Sequence, residues 1–356
     1  MYKGEKQMNK KIMVFALIAA MLLSTLTAFG VGSGPNYNGN ERIKDSRVTS
    51  HEDMTTQLER YARQSDLLEL EVIGQSVKGR DLFLVKFGDY DESKPTVLYL
   101  TQQHGNEVMA TEGALNVIRN LSANSRKNRE LAENINILFV PRINPDGGAG
   151  DVNFDISHYV GGGLATRVNA DGLDLNRDHN TLATPEIKAL HENVLQQYKI
   201  DYMIDFHHQG TRSGIDGELV SGSMLYPTKP GVKPEVVEAA KKFGAVAYDA
   251  VNDKGWGLMA RYNGGSANTI ARNGLAHDYD IAMLLVEMRG MIDHSWEDAV
   301  LGQKSNGYLI QQAVLIMEVT MEAIADGSIA EADAAVWDTM PMQRNVPREA
   351  EELAGE

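Results

Sequence analysis

The sequence predicts an α/β fold, in which a mixed, mostly parallel twisted sheet carries helices on both faces of a single domain. Two observations lead to this prediction. Short runs of strand length alternate along the chain with longer segments of helical periodicity. Several of the short runs are apolar throughout, as expected for strands that are covered on both faces.

The same patterns place the elements along the chain. Strands are predicted at residues 68–73, 82–87, 96–100, 135–140, 202–206 and 282–286, and helices at 107–121, 185–198 and 308–324. The first two strands are joined by the turn at 75–79, and Gly327 ends the last helix. Because ligands of such sheets bind beyond the carboxyl ends of the strands, functional residues are expected there.

The two ends of the chain differ from this domain, which is predicted to span residues 49–325. Four lysines precede the apolar run at 12–23, which is shorter than the roughly 20 residues of a transmembrane helix. Residues 1–30 are therefore predicted to be a bacterial-type signal peptide of a secreted or extracytoplasmic protein, with an uncleaved anchor as the alternative. Residues 31–48 are predicted to be a flexible lead-in. Residues 326–356, with a net charge of 2 − 8 = −6, are predicted to be an acidic, solvated tail.

Composition narrows the function. The net charge of 34 − 49 = −15 disfavours nucleic acid as a partner, because such a surface repels phosphate backbones. The chain has 0 cysteines, so a disulfide, a thiolate metal site and a cysteine nucleophile are excluded. A metal ion would have to be held by histidine and carboxylate groups. No membrane span is expected in the mature chain.

Two histidine motifs follow predicted strands. His104 and Glu107 belong to a His-Gly-Asn-Glu sequence at a strand-to-helix turn, where both side chains can face one point. The sequence Asp-Phe-His-His at 205–208 ends a later strand. One of its histidines would complete the set of two histidines and one carboxylate that binds catalytic zinc, and we favour His207 over His208. The alternative for each motif is a hydrogen-bonded surface group; the other histidines lack ligand spacing and are interpreted as structural or surface groups.

A carboxylate and a basic loop are further candidates. Glu287 directly follows the apolar strand at 282–286, where it is either a general base or the partner of a neighbouring arginine. The segment 167–177 begins and ends with an arginine, and arginine binds carboxylates through two parallel hydrogen bonds. Asp174 in this segment can fix the tautomer of a metal-bound histidine. The alternative for the segment is a solvated loop.

Together these motifs resemble the zinc carboxypeptidases of the carboxypeptidase A type. The matching pieces lie at residues 104–107, 144–147 (Asn-Pro-Asp-Gly), 174–177 (Asp-Leu-Asn-Arg), 184–186 (Thr-Pro-Glu), 205–207 and 287–289. They occur in the family's order between roughly residues 50 and 325. The resemblance implies hydrolysis of the C-terminal peptide bond of peptides with a free C-terminal carboxylate, with one zinc ion per chain.

The resemblance also implies roles for individual residues. Zinc would be bound by His104, Glu107 and His207. Glu287 would be the general base and acid, and Arg167, or less well Arg142, would polarise the scissile carbonyl. The terminal carboxylate would be held by Asn176 and Arg177, and Asp174 would orient His104.

The sequence departs from the family at two points. The mobile tyrosine upstream of the catalytic glutamate is missing from 264–272, and neither Tyr262 nor Tyr279 matches its spacing. Asp178 stands where the family often has asparagine, from which we expect a preference for a substrate with an amino group near its terminus.

Three other functions are compatible with parts of the pattern. A cell-wall peptide amidase would use the same motifs, and so would an acyl-amino-acid deacylase, although the Asn-Pro-Asp-Gly segment and Arg167 argue against the latter. A non-catalytic binding module on this fold should have lost ligands or base, whereas all four of these residues are present.

Overall fold

The structure is a computed structural model that describes residues 48–155, 166–210, 212–290 and 307–346. The predicted signal peptide at 1–30, the lead-in up to residue 47 and the last ten residues lie outside the described residues. Those parts of the domain assignment stay predictions.

A mixed sheet forms the centre of the described domain. The strands are β1 (Leu68–Gln75), β2 (Asp81–Phe87), β3 (Thr96–Thr101), β4 (Asn136–Val140), β5 (Tyr202–Gln209), β6 (Ser213–Ile215), β7 (Glu218–Leu219), β8 (Gly222–Leu225), β9 (Met259–Arg261), β10 (Ala282–Arg289) and β11 (Arg344–Asn345). Eight of them form one sheet in the order β1-β2-β4-β3-β5-β10-β8-β9, and β11-β6-β7 form a small second sheet. The central strands β4, β3, β5 and β10 pair in parallel, and antiparallel pairs flank them. The predicted mixed α/β sheet is confirmed.

Helices cover both faces of this sheet. The helices are α1 (His51–Gln64), α2 (Met109–Leu121), α3 (Arg126–Asn134), α4 (Pro145–Ala149), α5 (Pro185–Leu190), α6 (Pro234–Asp253), α7 (Ala271–Asp278), α8 (Gly307–Ala325) and α9 (Val336–Thr339). Buried residues form one core with α1, α2, α6 and α8 and another with α5 and α7. Successive residues of β3 alternate between them, since Tyr99 belongs to the first core and Leu98 to the second. This explains why the strand is apolar between its two terminal threonines.

Helix α8 is long and apolar enough to cross a membrane, with a mean hydropathy of 1.3. Half of that apolar stretch is buried inside the domain, and the helix packs against α2 and α6. Leu309, Ile316 and Met317 are fully buried in this contact. Length and composition alone would allow a span, but the packing is that of a core helix.

The segment after α8 is not the solvated tail that its charge predicts. Trp337 on α9 is only 1% exposed and donates its indole N–H to the carbonyl of Lys241 at 2.8 Å. Its ring packs edge-on against Tyr226, with the centroids 4.9 Å apart. Strand β11 pairs with β6. The prediction is wrong for residues 328–345, because burying a large aromatic side chain outweighs the solvation of the few acidic groups around it.

Three neighbouring parallel strands end at the same edge of the sheet and place the motifs predicted from the sequence. β3 leads into the turn that carries His104, β5 carries His207, and β10 carries Glu287. Glu287 pairs in register with His207, so the two side chains lie on the same face of adjacent strands. The site is therefore built at the carboxyl edge of the central strands, as predicted.

Candidate metal centre

His104, Glu107 and His207 converge on one buried point, with ligand atoms that all lie within 4.8 Å of one another. Glu107 Oε1 is 2.8 Å from His104 Nδ1, and Glu107 Oε2 is 2.9 Å from His207 Nδ1. The two Nδ1 atoms are 3.0 Å apart. The structure thus brings together the three residues that the sequence analysis selected as ligands, with His207 rather than His208 in the cluster.

The donor set fits a zinc ion. His104 Nε2 lies 3.2 Å from Asp174 Oδ1, and His207 Nε2 lies 2.9 Å from Asp205 Oδ2. When Nε2 donates its proton to these carboxylates, both Nδ1 atoms turn their lone pairs toward Glu107. Nitrogen and oxygen donors around tetrahedral zinc lie about 3.3 Å apart, close to the separations seen here.

Burial and charge set the protonation of this cluster. Burial by itself favours a neutral Glu107, but the imidazoles of His104 and His207 outweigh it and hold the pKa of Glu107 well below its usual range. Burial also opposes a charged His207, yet the carboxylates of Asp205 and Glu107 raise its pKa well above the usual value. A divalent cation would displace that proton, because only the neutral imidazole is a ligand.

The His104 turn depends on a close approach of two glycines. A Cβ on Gly105 would lie 2.2 Å from the carbonyl carbon of Gly147, so no side chain fits. Asn144 donates to the carbonyl of Gln103 at 3.0 Å and accepts from the N–H of Gly147 at 3.0 Å. The Asn-Pro-Asp-Gly motif is therefore the support on which the metal-binding turn rests.

Glu287 is buried beside the cluster. Burial raises the pKa of its carboxyl to about 7, with help from the charge of Glu107 and against the imidazoles of His207 and His104. A carboxylate with a pKa near neutrality can both accept and return a proton, which is what a general base and acid requires.

Arg167 lies next to these groups, as the sequence analysis expected. Its Nε donates to Asp174 Oδ2 at 3.1 Å, and its Nη1 lies 3.7 Å from Glu107 Oε1. A third of the side chain is exposed, so it can meet a ligand. The rival Arg142 is buried elsewhere, with its guanidinium bonded to Gln102 and to the carbonyl of Thr49.

Asp174 and Asn176 are both engaged with the metal-binding histidines. Burial would raise the pKa of Asp174, but the hydrogen bond with His104 and the charges of Arg167 and Arg177 hold it well below its usual range. Asn176 Nδ2 lies 3.0 Å from His207 Nε2, and its Oδ1 accepts the N–H of Ala271 at 2.8 Å. Asn176 thus contacts His207 and lines the cavity described next.

A cavity of about 460 Å³ opens beside the metal centre. Its wall includes all the predicted site residues except His207 and Asp174, namely His104, Glu107, Arg167, Asn176, Arg177 and Glu287. Volumes of this order are typical of small-ligand sites. Two residues of the supposed tail, Gln343 and Asn345, also line it.

Asp178, by contrast, does not line this cavity. Its two carboxylate oxygens accept bonds from the backbone N–H groups of Ala183 and Thr184 and from the hydroxyls of Thr181 and Thr184. The role of Asp178 is therefore to stabilise the turn that precedes α5. The structure gives no support to the expected preference for an amino group.

Comparisons with known proteins agree with this geometry. The family model described as zinc carboxypeptidase matches residues 54–216. The catalytic chain of carboxypeptidase N from Rattus norvegicus is 34% identical over 131 residues, which are 33% of this chain and 27% of that one. Carboxypeptidase E from Caenorhabditis elegans is 32% identical over 176 residues, which are 46% of this chain and 36% of the other. The chain thus spans about a quarter to a third of these curated relatives.

The chain resembles the zinc carboxypeptidase family, whose model covers a little under half of its length. Among solved structures, the metallo-carboxypeptidase from Burkholderia cenocepacia is similar, with a TM-score of 0.60 and 18% identity over 78% of this chain and 69% of the other. At that identity, the likeness shows a shared fold.

Four elements of this site were not identified as functional from the sequence. Tyr262 reaches the cavity although its spacing does not match the family's tyrosine, and the charge of Glu287 together with burial raises its pKa to about 12. Arg272 also lines the cavity. Asp205 shares a strand face with His207, a spacing that could have marked it as the partner of that ligand. The fourth element is the C-terminal segment 343–345, for which no sequence signal exists.

A buried polar chain runs from the metal centre to the far side of α7. It consists of His207, Asp205, Gln103, His179, His191 and Tyr279, joined by contacts of 2.8–3.2 Å. Burial lowers the pKa of His179 to about 3 and that of His191 to about 4, so both are neutral. Because both rings are neutral, all the hydrogen bonds of the chain can run in one direction, with each donor pointing toward Asp205. This chain fixes the carboxylate that orients His207.

We expect Asp205→Asn to lower zinc affinity by about 10- to 100-fold, the usual cost of losing the partner of a metal-binding histidine. The amide cannot accept all the donors that point at it, so the His207 ring loses its fixed orientation. Competition with a fluorescent zinc chelator measures the effect. Asp278→Asn, at an exposed carboxylate away from the cavity, is the matched control. An unchanged affinity in Asp205→Asn would contradict the role assigned to the chain.

Proposed function

We propose that this protein is an exported zinc metallocarboxypeptidase that removes the C-terminal residue of peptides. The observation that carries the proposal is the convergence of His104, Glu107 and His207 within one ligand sphere, with Glu287 in register on the adjacent strand. The match of residues 54–216 to the zinc carboxypeptidase family model supports the same reaction, since that family is named for it. Export is supported by the sequence of residues 1–30 alone.

Within this proposal, His104, Glu107 and His207 hold the metal. A zinc ion in such a site supplies Lewis acidity, which activates water and polarises a carbonyl. Glu287 accepts the proton of the attacking water and returns it to the leaving nitrogen. Burial suits it to both steps, because a carboxyl whose pKa is raised toward neutrality can both accept a proton and return it. No covalent intermediate with the protein is needed.

The arginines position the substrate. Arg167 is partly exposed beside Glu107 and donates to the carbonyl oxygen as negative charge develops there, a contact worth about 3 kcal/mol in comparable sites. Arg177 is exposed at the cavity and receives the terminal carboxylate. A terminal carboxylate held there sets the register of the peptide, so that cleavage falls at the last peptide bond.

Digestion of a mixed peptide library tests this function. The mature protein loaded with zinc should shorten peptides by one C-terminal residue, read by mass, and a chelator should abolish the activity until zinc is restored. Peptides with an amidated C-terminus are the matched control and should survive. Internal cleavage, or release of a diamino acid from cell-wall peptides only, would contradict a carboxypeptidase and favour the amidase; no chelator-sensitive cleavage of any substrate would leave the enzyme proposal without support.

A further inference from the structure

Arg272 is a buried cation in the wall of the cavity. It is the second residue of α7 and is only 1% exposed. It lines the cavity together with Glu287 and Tyr262. Its Nη1 donates to the carbonyl of Tyr226 at 2.8 Å, and its Nη2 donates to the carbonyl of Gly265. Its Nε is buried and has no hydrogen-bond partner among the described residues.

The charge of Arg272 has no ion-pair partner among the described residues. Among the described residues, no carboxylate lies within ion-pair distance of its guanidinium, and its bonded partners are neutral carbonyl groups. A buried charge without a counter-ion is costly, so natural proteins pair such groups with an anion. Burial accordingly lowers the pKa of Arg272 to about 10, which still leaves it charged at neutral pH. The described part of the chain therefore supplies no anion that pairs with this guanidinium.

The other two arginines of the cavity differ from Arg272 in their surroundings. Arg167 is already paired with Asp174 and lies near Glu107, so much of its charge is compensated. Arg177 is exposed and takes the terminal carboxylate in the proposed function. Of the three arginines that line the cavity, Arg272 is therefore the one left to bind a second carboxylate group of the same ligand.

The loop over Arg272 allows a ligand to come close. A Cβ on Gly264 would lie 3.3 Å from Arg272 Nη2, so a side chain at this position would crowd the guanidinium. Ile270 and Leu285 line the same cavity and can pack against the methylene groups of a side chain. A short aliphatic side chain that ends in a carboxylate matches this combination of apolar wall and buried cation.

We propose that the cavity selects peptides whose last residue is acidic, with Arg272 receiving the side-chain carboxylate of a terminal glutamate or aspartate. This inference rests on the proposed function, because it assigns the substrate class of the same site. It also replaces the preference for an amino group that Asp178 suggested in the sequence.

Peptides that end in glutamate or glutamine give the sharpest test, because the two residues have the same shape and differ in charge. We expect the zinc-loaded wild type to show a kcat/KM for the glutamate-ended peptide that is higher by on the order of 100-fold. Peptides that end in lysine should be poorer than both. Equal or better cleavage of the glutamine-ended peptide by the wild type would overturn the proposal.

Arg272→Met removes the charge while keeping a long side chain of similar reach. Its glutamate-to-glutamine ratio should collapse to about 1, mainly through a higher KM for the glutamate-ended peptide. A ratio that persists in this variant would overturn the role of Arg272. Equal losses for both peptides would mean that Arg272 receives the main-chain carboxylate instead, which also contradicts the proposal. Circular dichroism checks folding; should the methionine variant fail to fold, Arg272→Lys, which keeps the charge but shortens the donor, should lower the ratio only in part.

A binding experiment distinguishes the failure of this inference from the failure of the proposed function. Zinc-loaded Glu287→Gln protein should bind the glutamate-ended peptide more tightly than the glutamine-ended one, as measured by calorimetry. That preference would support the acidic pocket even if the wild type cleaved neither peptide, an outcome that would end the proposed function alone. Turnover of both peptides with no binding preference would end the acidic pocket alone.

Discussion

Replacing Glu287 by glutamine is expected to lower kcat for peptide hydrolysis by about 10²- to 10⁴-fold, the usual contribution of a general base. Glutamine has the shape of glutamate but cannot accept the proton of water. Because Glu287 lies on a neighbouring strand and outside the ligand cluster, the variant should keep one zinc ion per chain. Steady-state kinetics with zinc analysis of the same sample measures both quantities.

The pH dependence of the two proteins provides the control. Glu287 must be unprotonated to act as a base, and burial raises its pKa to about 7. A bound divalent cation lowers this value, so the activity of the wild type should rise with pH along an acid limb whose midpoint lies below 7. The glutamine variant should lack that limb in its residual activity. An unchanged kcat, or the same acid limb in the variant, would remove Glu287 as the base.

The parts of the fold that the sequence predicted are those in which local pattern and final packing coincide. The middle of β3 and the first five residues of β10 are apolar because both faces of these strands are covered, and this is visible without any knowledge of their neighbours. The helix predicted at 185–198 is confirmed only in part, since α5 passes into a π-helical turn at His191–Leu195. The long helix α6 was not predicted, because its alanines and glycine blur the apolar stripe.

The residues of the site also fall into those that local sequence predicts and those that it does not. The ligands could be found because each lies in a short motif at the end of a strand, where local sequence already fixes its position. Asp205 reaches Gln103 across 102 residues, a pairing that depends on the register of β3 against β5. Arg272 gave no local signal, since a single arginine on a short helix is common. Its importance comes from what surrounds it after folding: a buried position whose hydrogen-bond partners are neutral carbonyl groups, with no ion-paired carboxylate among the described residues.

His104→Ala is expected to remove zinc from the protein and with it all measurable peptidase activity. The variant loses one of three ligands, so the affinity should fall by more than the roughly 10- to 100-fold that follows loss of an outer partner. The fold should survive, because Asp174 keeps its ion pair with Arg167 and Glu107 keeps its contact with His207. Metal content per chain and hydrolysis of a peptide substrate are the two measurements.

Thermal unfolding gives an independent measure of the same loss. Zinc binds the folded state, so adding it should raise the Tm of the wild type by mass action, whereas the Tm of His104→Ala should not respond. His277→Ala, at a partly exposed histidine paired with Asp278, is the control and should respond like the wild type. A His104→Ala protein that still held one zinc ion and still cleaved peptides would show that the metal is bound somewhere else. The His104–Glu107–His207 cluster would then be only a buried hydrogen-bonded network. The roles assigned to Glu287, Arg167 and Arg272 would no longer be supported, because each was argued from a metal bound at this cluster.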